Sequence, residues 1–240
     1  MSSRKGQRDA ARVVREQIAR EKRRKRALWT SVAAVAVLVI AGLIGWSVLR
    51  SQKSDSWTAP PGANDPGTGI VVGNGDAPVT IDLYEDYLCP ACRQFQQTTG
   101  PTIKQLVAAG KAKVVFHPVA YLNRFSTTEY STRASAASGC AAKGGKFTEF
   151  TDALFAKQPA EGSAGLSNDE LIDIGAGVGL NKDDFGACVK DGTYKGWTEH
   201  VTDDASKAGV TGTPTIKVNG KDVEDRSPAG VTAAVEAAGK

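Results

Sequence analysis

The sequence is poor in the residues that bind metals and carry redox chemistry. It has only four cysteines and two histidines in 240 residues. A zinc site needs about four ligands, and Cys140, Cys188, His117 and His200 offer no pair at short ligand spacing. No metal is therefore expected. A dinucleotide fold is not indicated either, because the GxG in "VGNGDAP" lacks the helix that a phosphate-binding turn must open. No internal repeat is visible.

Acidic residues are scarce at the start. Residues 1–27 hold three of them against eleven Lys or Arg and carry +8, while the remainder carries −4. The basic run "REKRRKRA" would suit nucleic acid or a membrane-topology signal. The next 22 residues, Leu28 to Leu49, contain no charge, and about 20 apolar residues span a bilayer. Trp29 and Trp46 sit near the ends of this stretch, where indole favours the interface. Its length exceeds the apolar core of about 7–15 residues usual in a cleaved signal peptide. Residues 28–49 are thus expected to form a single transmembrane anchor, with 1–27 retained in the cytoplasm by their positive charge and the rest of the chain exported. Residues 50–69, rich in Ser, Pro, Gly and Asp, read as a flexible linker. One folded domain is expected over 70–240.

In that domain Val79, Ile81 and Leu83 alternate with polar residues as in a strand. The strand runs into a cysteine pair, and helical sequence follows, with a kink expected at Gly100 and Pro101. "KAKVVFHPVAY" reads as a second strand. A helical block then spans about 122–208, with a capping-box pattern at Ser167 and Glu170. Asn219-Gly220 marks a hairpin, and the chain closes on a helix.

The cysteine pair is Cys89-Pro90-Ala91-Cys92. Two intervening residues put both thiols on the first helical turn, where free N–H groups and the helix dipole stabilise a thiolate. Cys89 is therefore the nucleophile candidate and Cys92 the less exposed resolving thiol. A purely structural bridge between them would close too small a loop to restrict the unfolded chain much. Working redox chemistry by thiol-disulfide exchange is the reading that remains.

Three features, the CPAC at a strand-to-helix turn, "TGTPT" before a late strand, and the helical insertion, make residues 70–240 resemble the DsbA-like branch of the thioredoxin fold. The resemblance implies an α/β thioredoxin fold with a helical insertion, and a cis peptide bond before Pro214, packed opposite the cysteines. Pro90, Ala91, Thr213 and Pro214 would then tune the pair and meet substrate, with the backbone before Pro214 pairing with it as an added strand. The sequence departs from the family twice. Ala91 stands where strongly oxidising members carry His, which implies milder oxidising power. Leu83 stands six residues before the first cysteine, where thioredoxin-like enzymes bury a carboxylate. Glu85 or Asp86 could take over proton transfer, the alternative being solvated loop acids.

Cys140 and Cys188 lie in predicted helices of the insertion. An exported domain can keep disulfides, and a bridge between them would close a loop worth about 4 kcal/mol. Two buried thiols or a second redox relay are the alternatives. His117 reads as a structural strand residue and His200 as exposed, while Tyr87 and Leu88 read as core or as the lining of a peptide groove.

The expected function is a membrane-anchored, extracytoplasmic thiol-disulfide oxidoreductase that introduces disulfides into exported polypeptides, with no cofactor beyond the Cys89–Cys92 pair. The resemblance implies recharging by a DsbB-like or vitamin K epoxide reductase-like membrane protein. The alternatives are a reductase or isomerase with the same site, or a non-catalytic peptide-binding module. No nucleic-acid partner is expected, and with no separate dimerisation segment visible the chain is expected to be a monomer.

Overall fold

The computed structural model describes residues 57–240. The expected cytoplasmic segment (1–27), the transmembrane anchor (28–49) and the first part of the linker lie outside the described residues. Among the described residues no helix is long and apolar enough to cross a membrane.

A five-stranded sheet with the order β1-β3-β2-β4-β5 forms the centre of the domain. Its middle strand, β2 (Val79–Glu85), buries Val79, Ile81 and Leu83, so the alternation read in the sequence sets the inward face. On one side β2 pairs in parallel with β3 (Ala112–Pro118), in register from Val79 opposite Ala112 to Glu85 opposite Pro118. On the other it pairs antiparallel with β4 (Thr215–Val218). The edge strands β1 (Ile70–Val72) and β5 (Lys221–Asp222) run antiparallel to β3 and β4. The β4–β5 turn has positive φ at both Asn219 and Gly220, as a two-residue hairpin demands. The Asn219 side chain also accepts a hydrogen bond from Thr80 N at 2.9 Å, tying the turn to β2.

The crossover from β2 to β3 is α1 (Pro90–Thr98) followed by α2 (Gly100–Ala108). The expected kink is a full break at Thr99, whose hydroxyl donates to Arg226 O at 2.8 Å. The closing helix is α8 (Pro228–Ala238).

Between β3 and β4 lie a short 3-10 turn, Asn123–Phe125, and five helices: α3 (Tyr130–Lys143), α4 (Phe147–Ala156), α5 (Asn168–Gly177), α6 (Lys182–Lys190) and α7 (Lys195–Lys207). They occupy the range expected for the insertion. The Ser167–Glu170 capping box is formed. α3 is made of Ala, Ser, Gly and Cys through its middle and is buried there on nearly every side, because small side chains let neighbouring helices approach closely. Its buried serine hydroxyls are satisfied, with Ser135 donating to Pro118 O at 2.6 Å and Ser138 to Ser135 O at 2.7 Å. A disulfide joins Cys140 of α3 to Cys188 of α6, with Cα atoms 6.0 Å apart.

Two expectations need correction. From Trp57 onward the expected linker is packed on the domain. Trp57 stacks on His200 with ring centroids 3.9 Å apart, Gly67 O accepts from the buried Trp197 indole at 2.8 Å, and Thr68 O lies 2.7 Å from His117 Nδ1. The polar composition hid this, because one large aromatic and two backbone carbonyls supply the anchoring. The same contact makes His200 half-buried rather than exposed, with an Nε2 that has no partner among the described residues. His117 is structural, as expected, held between Thr68 O and Asp82 Oδ1 at 3.1 Å.

Candidate functional site

β2 ends at Glu85, and four residues later Cys89 serves as the N-cap of α1, with extended backbone and no side-chain cap. Pro90 at the first helical position has no N–H to lose and a fixed φ that suits the start of a helix. The unpaired amides of the first turn therefore remain available to a sulfur anion.

Both cysteines are free thiols, and their surroundings separate them. The Cys89 pKa is pulled down to about 6 by a hydrogen bond from the Cys92 thiol first, aided by the Thr213 side chain and by the Cys92 and Ala91 amides, which together outweigh its burial. Cys92 is fully buried. Desolvation, the bond it gives to Cys89 and the nearby Glu85 push its pKa well above that of an ordinary thiol. One sulfur is thus poised to attack or to leave, and the other stays protonated until something takes its proton.

The Thr213-Pro214 segment lies against this pair. Cys89 Sγ donates to Thr213 O at 3.4 Å across 124 residues of chain. The Thr213-Pro214 peptide bond is cis, and Pro214 is buried where β4 begins while Thr213 is half-exposed. Pro90 and Ala91 are exposed beside the sulfurs. The residues expected at the site, Cys89, Cys92, Pro90, Ala91, Thr213 and Pro214, are therefore assembled in one place. Cys140 and Cys188 stand apart from it as the bridge within the insertion.

The two acids are not solvated loop residues, since both are buried, and they differ in what they do. Asp86 is saturated, with Oδ1 accepting from Leu88 N at 2.8 Å and Ser131 Oγ at 2.7 Å, and Oδ2 from Leu122 N at 2.9 Å. Burial still outweighs those bonds and raises its pKa to about 6. Its backbone carbonyl accepts from Cys89 N at 2.9 Å, so Asp86 holds the shape of the turn. Glu85 is held by one bond, from Gln96 Nε2 to Oε2 at 2.6 Å, and Oε1 has no partner among the described residues. Burial drives its pKa well above the usual carboxylate range, and the charge of Cys89 adds to the effect. Glu85 lies on the same strand face as Ile81 and Leu83, one repeat beyond the position where the family resemblance places a buried acid. Period-two alternation carried through to residue 85 would have placed it inside.

Tyr87 and Leu88 are core rather than groove lining: Tyr87 is wedged against Phe155 and donates or accepts at Thr151 Oγ1, 2.9 Å away. Sequence reasoning missed Gln96 and Gln158. Gln96 lies one helical turn beyond Cys92, a spacing that puts it on the same face. Gln158 Nε2 donates to Tyr87 O at 3.0 Å and to Cys89 O at 2.9 Å, steadying the turn from α4's far end. Nothing around it in "AKQPAEG" signals that role.

Comparison with known proteins agrees with this architecture. A thioredoxin family model matches residues 65–237. The chain is 32% identical over 159 residues to the serine/threonine-protein kinase PknE of Mycobacterium tuberculosis, covering 62% of this chain and 28% of the kinase, so it spans under a third of that relative's length. It is 28% identical over 198 residues to the probable disulfide bond formation protein D of Bacillus cereus, covering 79% of this chain and 86% of that protein. Among solved structures, oxidised DsbA from Mycobacterium tuberculosis superposes with a TM-score of 0.61 at 32% identity, over 78% of this chain and 90% of that one. The chain belongs to the thioredoxin family, in its DsbA-like branch.

Proposed function

We propose that the domain is a thiol-disulfide oxidoreductase that introduces disulfide bonds into exported polypeptides, working outside the cytoplasm on a membrane anchor at residues 28–49. The observation that carries this reading is the placing of the two thiols, Cys89 at the N-cap of α1 with its Sγ 3.4 Å from Thr213 O and Cys92 fully buried one turn on, surroundings that pull the first pKa down and push the second up. A stabilised Cys89 thiolate favours the reduced form of the enzyme, which makes its disulfide a good oxidant.

In the forward reaction a substrate thiolate attacks Cys89 Sγ of the oxidised pair. The Cys89–Cys92 bond breaks and Cys92 leaves with the electron pair, taking a proton from the protonated Glu85. A second substrate thiolate then attacks the mixed disulfide, the substrate disulfide forms, and Cys89 departs as a thiolate whose low pKa makes it a good leaving group. Two electrons now reside on the enzyme. Recharging reverses the proton step: Cys89 attacks the disulfide of a membrane partner, Glu85 takes the Cys92 proton, and Cys92 closes the pair. A DsbB-like or vitamin K epoxide reductase-like protein passing electrons to quinone fits that role, and a shared membrane raises the two proteins' effective concentration. Thr213, with its carbonyl at Cys89, is placed to pair with the substrate backbone. Asp86 shapes the turn and exchanges no proton in this scheme.

Equilibrating the full-length chain with glutathione buffers tests the direction. A potential near about −120 mV supports the oxidase, and one near about −270 mV supports a reductase instead. A Cys92→Ser variant is expected to accumulate substrates as mixed disulfides on Cys89. Absence of such adducts in cells would favour a peptide-binding module without turnover.

A further inference from the structure

The Cys140–Cys188 bridge borders an open cleft. Both cysteines line a hollow of about 610 Å³ formed by the C-terminal turn of α3, the loop from α5 to α6, and α6 itself. Cys188 is 7% exposed, the same as Cys89, which a substrate must reach, and Cys140 is 4% exposed. The lip beside Cys188 is low, because its neighbour Ala187 carries only a methyl group and is exposed. A disulfide sealed in a core meets thiols only when the structure opens. One that borders a cleft exchanges in the folded state, provided that one sulfur can be approached and the other can leave.

The charges around the cleft differ at its two ends. Lys143 lines it one helical turn beyond Cys140, on the same face of α3. Asp184 and Asp191 line it about one turn before and one turn after Cys188. None of the three is in an ion pair among the described residues, so each acts on what enters. A cation beside a sulfur stabilises its thiolate, and carboxylates beside a sulfur destabilise it. Cys140 is therefore the better leaving group, and Cys188 is the sulfur that keeps an incoming thiol. The two carboxylates outweigh the single ammonium, so a thiol that carries a positive charge is favoured over an anionic one.

We propose that the Cys140–Cys188 bridge is a second exchange site in the folded domain, one that takes low-molecular-weight aminothiols. The thiolate of the small molecule attacks Cys188 Sγ, the Cys140–Cys188 bond breaks, and Cys140 leaves with the electron pair. The product is a mixed disulfide on Cys188 and a Cys140 thiolate beside Lys143. Attack by Cys140 on that mixed disulfide expels the small thiol and closes the bridge again, so the cycle consumes no oxidant or reductant. The site is independent of the CPAC pair and of the direction in which that pair moves electrons.

The test uses the full-length Cys89→Ser/Cys92→Ser chain, in which cysteamine can exchange only with the remaining bridge. Exchange is quenched in acid, free thiols are alkylated, and both groups are located by peptide mapping. The cysteamine adduct is expected on Cys188 and the alkyl group on Cys140, at a rate that rises in proportion to cysteamine and is insensitive to low urea. At equal thiolate concentration and low salt, mercaptoethanesulfonate is expected to react about threefold more slowly than cysteamine, a size usual for exposed charges, and high salt should remove the difference. Lys143→Gln should slow the cysteamine reaction by about the same threefold. Ala187→Phe, a plug placed from an exposed position on the lip, should slow it roughly tenfold by restricting access. A rate that levels off with cysteamine at the rate of global unfolding would mean that the bridge is sealed, and would overturn the inference. So would an adduct on Cys140, or a parent rate in Ala187→Phe.

Discussion

Ser131, at the start of α3, donates a hydrogen bond to Asp86 Oδ1 at 2.7 Å and so ties the helical insertion to the turn that precedes Cys89. The same carboxylate holds Leu88 N and Leu122 N. Removing one donor differs from removing the acceptor, because a lost acceptor strands several buried groups at about 1–3 kcal/mol each. Asp86→Ala is therefore expected to lower unfolding free energy by about 3 kcal/mol and Ser131→Ala by about 1 kcal/mol. Denaturant titration of both variants checks the order; equal losses would mean that Asp86 is not the shared clamp.

The two buried acids give stability a definite pH dependence. Both have pKa values raised by burial, Asp86 to about 6 and Glu85 well above its ordinary 4.5. The folded state then binds more protons than the unfolded chain, so their contribution is complete below their unfolded pKa values and is lost as pH rises through the folded ones. For Asp86 the window runs from 3.8 to about 6, and for Glu85 it begins at 4.5 and extends upward. Glu85→Gln keeps the shape and cannot ionise. It is expected to fall less steeply in stability than the parent between pH 5 and pH 8 (about the range in which a raised carboxyl titrates), as read by unfolding free energy at each pH.

Where the domain begins is testable in the same way. A chain starting at residue 70, the boundary that composition suggests, would lack Trp57 over His200, Gly67 O under the Trp197 indole and Thr68 O at His117. Two buried ring nitrogens would lose their backbone partners, at about 1–3 kcal/mol each. A chain starting at residue 56 is expected to be the more stable of the two by several degrees in Tm.

The Cys140–Cys188 bridge closes a separation of 48 residues in the insertion, away from the CPAC pair. Replacing both cysteines by Ala is expected to lower stability by about 4 kcal/mol on the chain-entropy estimate. The rate of Cys89 alkylation should not change. A coupled fall in Cys89 reactivity would point instead to redox communication between the two pairs.

What could be read in the sequence followed from local patterns. The alternation through Leu83, the Ser167–Glu170 box, the Asn219-Gly220 turn and the CPAC spacing each involve residues within a few positions of one another, and the structure realises all of them. The parts that escaped depend on partners far along the chain. β1 has three residues, too few for an alternation to register, and exists because β3 offers it an edge. Trp57 meets His200 across 143 positions, and Gln158 reaches Cys89 O from 69 away. Asp86 looks like a loop acid until Ser131 and Leu122 arrive to satisfy it. Glu85 is intermediate: its strand face was readable, but a charged residue type argues for solvent until Gln96 is seen to hold it.

The acidity of Cys89 is the quantity on which the redox reading turns, and its causes can be separated by substitution. The largest is the hydrogen bond from the Cys92 thiol, ahead of Thr213 and the helix amides. Alkylation of the reduced chain by iodoacetamide is expected to rise with a midpoint near 6, against about 8.5 for an unperturbed cysteine. In Cys92→Ala the amides remain and the thiol donor is gone, so the midpoint should move up but stay below the unperturbed value. Cys92→Ser retains an O–H donor and should shift it less. Because the folded value lies below the unfolded one, the thiolate adds stability to the reduced form that is complete above about pH 9 and fades as pH falls through 6. The reduced protein should therefore lose stability relative to the oxidised form on acidification, a difference that paired thermal melts at pH 5 and pH 8 (about one unit or more to either side of the midpoint) would detect. An unaltered midpoint in Cys92→Ala would assign the acidity to the Thr213 side chain and the helix amides, and a parent midpoint near 8.5 (roughly the free value) would remove the basis for an oxidising Cys89.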